Sequence, residues 1–179
     1  MYRLLALAIV LVAASATASA EIEKVAAPTD NGLTLHWWPK LPDVAGWHFD
    51  RGASYHYGFA AWAPDNFTFA DAEAVIYARA IYKPRDPETK SLDMLIERDK
   101  QHFLERSPGT RVESAPSLPT ADGRRFRSLA FSQSSSGTWD RAAYGEEGDF
   151  YLMFIISSRS QSGYQKAMPT FETFIARYK

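Results

Sequence analysis

Three carboxylates fall within four positions at Glu146, Glu147 and Asp149, in the stretch "AYGEEGDFY". Such a cluster could hold a hard cation or supply a general acid and base. A calcium loop, however, draws roughly six to eight oxygens from alternating positions over about twelve residues. A hydrolytic carboxylate pair must face one shared cleft, whereas neighbours in a strand or turn diverge. Gly145 and Gly148 bracket the two glutamates, and glycines that can take positive φ suit a tight hairpin. The expectation is a hairpin tip whose charges point into water.

The histidines are His36, His48, His56 and His102. Adjacent strands could bring the first three together as metal ligands. None stands at the helical i, i+4 spacing, no thiolate supports them, and the spacing alone does not decide whether they converge. No G-x-S-x-G elbow, glycine-rich phosphate loop or H-E-x-x-H occurs, and no serine carries a local signature of activation. The sequence therefore assigns no catalytic residue, metal ligand or cofactor.

Two other groups stand out. Asp99 falls between Ile96 and Phe103 on the apolar stripe of an expected helix, at about 100° per residue. A carboxylate there is expected to be buried and structural, clasped by Arg79, Arg159, a tyrosine hydroxyl or backbone N–H groups. Aromatic residues make up 14% of the chain and crowd into its first third, from Trp37 and Trp38 through Trp47, Phe49, Tyr55, Tyr57 and Phe59 to Trp62. Trp and Tyr are enriched at binding hot spots. Trp37, Trp38, Trp47 and Trp62 are the candidate partner-binding residues, against the plainer reading that the rings form core.

The elements that position these groups follow from the hydropathy pattern. Residues 1–20 read as a signal peptide: Arg3, the apolar run Leu4 to Ala14, then Ala18-x-Ala20 as a cleavage site. That run is shorter than the roughly 20 residues a membrane span needs, so no membrane span is expected in the mature chain. The expectation is an exported chain, cleaved after Ala20. Residues 21–31 read as a polar leader, and 32–179 as a single α+β domain. Short strands are expected over "GLTLHWW" and around Gly52, with a turn at Pro64-Asp65-Asn66. Glu73 to Lys83 reads as a strand, and Ser91 to about Arg106 as a helix carrying Leu92, Leu95, Ile96 and Phe103 on one stripe. Strands recur near 110–115, 125–132 and 138–144. "DFYLMFIISS" is apolar on both faces, as a central strand must be. A closing helix carries Tyr164, Met168, Phe171, Phe174 or Ile175, and Tyr178 on one stripe, with Pro169 expected in its first turn. The pattern predicts an antiparallel β-sheet with amphipathic helices packed on it.

Composition narrows the function. Of 20 Lys+Arg, only Arg3 lies in residues 1–20, so the remainder has 19 bases against 21 acids, a net charge of −2. Nucleic acid is not an expected partner, because "GRRFR" divides its arginines between two strand faces. The chain has no cysteine, which excludes thiolate catalysis, cysteine zinc sites and disulfide support.

"TWDRAAYGEEGDFYLMFIISS" with "YQKAMPTFETFIARYK" resembles the end of the PsbP/Mog1/DcrB-like α/β sandwich group. "SLDMLIERDKQHFLERSPGTRVESAPSLPTADGRRFRSL" is similar to its middle helix and strands. The resemblance covers about residues 65–179 and implies that fold. Members of the group look like accessory proteins: a photosystem subunit, a small-GTPase binder, secretion chaperones and envelope proteins. No functional residue of the group carries over to a position here, and the lipid-attachment cysteine of its lipoproteins is missing. The whole chain is also similar to exported proteins of Gram-negative bacteria, a resemblance that implies a periplasmic location. Two function classes follow as expectations: a non-enzymatic accessory or binding protein contacting an envelope protein, or an envelope hydrolase whose groups converge only in space.

Overall fold

The computed structural model describes residues 22–29, 32–132 and 137–179. The signal peptide expected at 1–20 and residues 133–136 of the serine-rich loop lie outside these. In chain order the elements are β1 (Ile22–Thr29), β2 (Gly32–Pro39), β3 (Trp47–Phe49), α1 (Arg51–Tyr57), β4 (Ala60–Pro64), β5 (Ala74–Tyr82), α2 (Leu92–Arg106), β6 (Arg111–Pro119), β7 (Arg125–Ser132), β8 (Trp139–Glu147), β9 (Phe150–Ser158) and α3 (Gln161–Arg177). The nine strands of the described residues make one antiparallel sheet, seven of them in the order β1-β2-β5-β9-β8-β7-β6 with β3 and β4 off that path. One edge of β5 is shared: β2 meets it at Trp37↔Ala80, and β4, hairpin partner of β3, takes Ala60↔Ala78 to Trp62↔Ile76.

The fold class is α+β, an antiparallel sheet with helices on both faces, as the alternation of patterns predicts. Strand β9 shows why. Successive side chains of a strand point to opposite faces, so Leu152, Phe154 and Ile156 join one core while Tyr151, Met153 and Ile155 join the other. Fully burying each such side chain is worth about 1.5–3 kcal/mol. On the first face the small residues Ala74, Ala78 and Ala80 of β5 share a cluster with Phe171, Phe174 and Ile175 of α3. On the second, Leu95 and Ile96 of α2 pack with Phe131 and Met153, and Phe103 stacks on Phe131 at 4.2 Å. Ser91 and Ser160 cap α2 and α3 by accepting the N–H groups of Met94 and Gly163.

Three sequence readings are corrected. Residues 21–31 are not merely a leader: Ile22–Thr29 pair along all of β2, and Val25 and Ala27 are buried at alternate positions. The chain around Gly52 is helical. Asp50 accepts the Ala53 N–H at 2.9 Å to start α1, and Gly58 ends it at φ 76°. A side chain at Gly58 would meet the His36 ring at 2.5 Å, so both the dihedral and the close approach require glycine. A seven-residue helix rich in aromatic and histidine residues has too few turns to declare its period. Finally, Pro169 sits inside α3 rather than in its first turn, because Ser160 fixes the start of the helix further upstream.

Candidate functional site

A large cavity lies where the β3–β4 hairpin, the loop into β5 and the start of α3 meet. It is a cleft of about 620 Å³. Trp47 comes from β3, opposite Pro64 of β4. The Pro64-Asp65-Asn66 turn forms as its residue types predict: the Phe67 N–H reaches the Pro64 carbonyl at 3.1 Å, and Asn66 takes φ 69°. The turn lifts Phe67 over the cleft, where it is 55% exposed. Asp50 anchors the chain beyond the turn. Its carboxylate caps α1 through Ala53 and also accepts the Phe69 N–H at 2.9 Å. Those two backbone donors, Ala53 first, hold the carboxyl below its ordinary range.

Four charged side chains complete the lining: Asp71 and Glu73 from the loop before β5, Arg159 after β9, and Lys166 on α3. Gly163 lets α3 come close, since an added Cβ would stand 2.6 Å from Ser158 Oγ and 2.8 Å from the Glu73 side chain. Each acid is held by a hydroxyl: Thr68 donates to Asp71 at 2.8 Å, and Ser160 donates to Glu73. The Arg159 guanidinium donates to the Ala70 carbonyl. Among the described residues none of the four forms an ion pair, although both signs line one cleft.

The four tryptophans expected at a partner surface are divided by the fold. Trp47 lines the cleft. Trp38 and Trp62 are 5% and 6% exposed and belong to the core, a correction. Trp38 meets Tyr55 edge-on at 5.4 Å and Trp62 lies 5.5 Å from Phe174, because their strands turn this side toward α3. Both also line a second cavity of about 350 Å³ with Phe49 and Leu41. Trp37 is half-buried, stacked on Tyr82 at 5.3 Å with the Arg85 guanidinium over its ring. Phe67 takes the exposed role instead. A ring immediately after a Pro-Asp-Asn turn was the available signal for it; Arg159 and Lys166 had none.

On the opposite face Asp99 is half-buried and accepts the Tyr144 hydroxyl at 2.7 Å. Burial, reinforced by the Asp99 charge, pushes the Tyr144 phenol well above its usual range. Asp140 is buried nearby, with Ser157 and Thr138 donating to it, and burial raises its carboxyl. The histidines are spread out. His36 lies against Gly58, His48 stands 3.7 Å from Asp65, and His56 meets Tyr57 edge-on at 4.6 Å. No group of three or more His, Asp or Glu able to hold a metal occurs among the described residues.

The acidic turn is a hairpin tip between β8 and β9, with Gly148 at φ 52°, but its glutamates do not simply face water. Glu146 pairs with Lys83 at 2.8 Å. Glu147 accepts from Arg124 at 2.9 Å and from the Tyr178 hydroxyl at 2.8 Å, tying the tip to the β6–β7 turn and the end of α3. Arg124 also bonds Asp122, lowering that carboxyl to about 2. The two glutamates diverge into separate clasps.

No protein-family model matches the chain, and no curated protein matches it. Among solved structures it is similar to the cyanobacterial PsbP (CyanoP) of Synechocystis sp. PCC 6803, with 15% identity, 92% of this chain and 95% of that one covered, and a TM-score of 0.44. It is also similar to PA94 of Pseudomonas aeruginosa, a protein of unknown function, with 8% identity, 84% and 92% covered, and a TM-score of 0.43.

Proposed function

We propose that this protein is a periplasmic, non-enzymatic binding or accessory protein that engages an envelope component through the Trp47–Phe67 cleft. The observation that carries the reading is the 620 Å³ cleft itself, walled by one half-buried and one exposed ring and rimmed by charge. A concave site with apolar walls and a few polar groups is the usual form of a binding pocket. Its polar groups are arranged to hold rather than to react. Glu73 and Asp71 are engaged by hydroxyls, and Arg159 by a backbone carbonyl. Export is supported by the pattern of residues 1–20. No helix among the described residues is long and apolar enough to cross a membrane.

In-cell photo-crosslinking tests the reading. A photoreactive residue at Phe67 should capture one defined envelope component, and the same probe at Met94, exposed on α2, should not. Trp47→Ala should abolish the capture while leaving the melting transition cooperative. Equal capture from both positions would overturn the proposal.

A further inference from the structure

The charges of the cleft specify the chemistry of its occupant. Asp71 and Glu73 present negative charge and Arg159 and Lys166 positive charge to the same 620 Å³, without any ion pair among them. A neutral apolar ligand would strip water from all four and give nothing back, which is costly. A ligand of one sign would leave the other pair desolvated. A ligand carrying both signs on an apolar body satisfies both and fills the space beside Trp47 and Phe67. Arg159 spends one guanidinium nitrogen on the Ala70 carbonyl, which leaves other N–H donors of a planar fork suited to a carboxylate. Lys166 is exposed and has no partner among the described residues.

Resting on the binding reading above, we propose that the cleft binds short peptides with free termini and an apolar side chain. The α-carboxylate meets Arg159 and Lys166, the α-ammonium meets Glu73 and Asp71, and the side chain lies against Trp47 and Phe67.

Calorimetric titration of the exported chain with the dipeptide Phe-Leu tests this, alongside its N-acetyl, C-amide and doubly capped forms. Phe-Leu should bind, and each single cap should weaken binding by roughly tenfold or more, the size expected for losing a charge-assisted contact. Lys166→Gln, at an exposed helix position, should weaken Phe-Leu and N-acetyl-Phe-Leu and leave the C-amide unchanged, with an unaltered melting temperature. Equal binding of free and doubly capped peptides would overturn recognition of the termini. Absence of Phe-Leu binding, with the Phe67 crosslink retained, would overturn this inference and leave the binding reading standing. Loss of both would remove both.

Discussion

The two faces of the sheet are built differently, although the same central strand serves both. Toward α3 the core is broad and almost wholly apolar, running from Val25 and Trp38 to Phe171, Phe174 and Tyr178. Its one deeply buried charge among the described residues, Arg141 at 6% exposure, is fully employed: it donates to Ser128 Oγ at 2.8 Å, the Pro116 carbonyl at 2.7 Å and Glu172 at 3.2 Å. Toward α2 the core is smaller and includes polar groups, with Tyr144 on Asp99 and the buried Asp140 beside it. A sheet whose α3 face is so heavily packed can open a large cleft along the margin of that face and remain folded. The polar α2 face carries structural hydrogen bonds under a helix.

The difference can be broken by substitution. Phe171→Ala, at a fully buried position against the sheet, should cost about 3–5 kcal/mol by chemical denaturation. Tyr144→Phe on the opposite face should cost about 1–2 kcal/mol, because Asp99 loses a donor but is only half-buried and can rehydrate. If the two costs came out equal, the asymmetry would be wrong. Glu146→Gln, at the tip joining the faces, should change stability by no more than about 0.5 kcal/mol, as for an exposed pair.

Acid sharpens the contrast. Asp140 is raised in the fold, so its protonated form is favoured there; it opposes folding above its folded pKa and has no such effect below the ordinary carboxylate value near 3.9. Asp140→Asn should therefore be least harmful, or stabilising, near pH 7, and should lose that advantage as pH falls toward about 4. Asp50 and Asp122 shift the other way. Their contributions are present above the ordinary carboxylate value and are lost as pH falls through the folded one, which for Asp122 is about 2. Melting curves between pH 7 and 3 for wild type, Asp140→Asn and Asp50→Asn separate the two signs. A common slope for all three would contradict the assignments.

What was legible in the chain was what periodicity and turn chemistry declare locally. The apolar run of β9, the stripe of α2, the Pro64-Asp65-Asn66 turn and the bracketed tip at Gly148 are each set by neighbours in sequence. Asp99 was legible as a charge on an apolar stripe, although its partner Tyr144 lies 45 residues away and only pairing of distant strands supplies it. Strand β1 was hidden because Glu23, Lys24 and Pro28 look like leader residues until β2 provides a partner. The cleft was hidden more deeply. Arg159 and Lys166 meet Glu73 only because β5 and β9 pair, at Ala74↔Ser158, and bring α3 back beside the loop. Of the candidate tryptophans Trp47 lines the cleft while Trp38 and Trp62 turn into the core, since burial depends on which side of its strand each ring takes.

The claim that the α3-side cleft is the working surface is tested most directly by amide hydrogen exchange on the protein alone and on its complex with the component captured at Phe67. Binding should slow exchange in residues 64–74 and 159–167 and leave α2 from Leu92 to Arg106 unchanged. Protection appearing on α2, with residues 64–74 unaffected, would contradict the account.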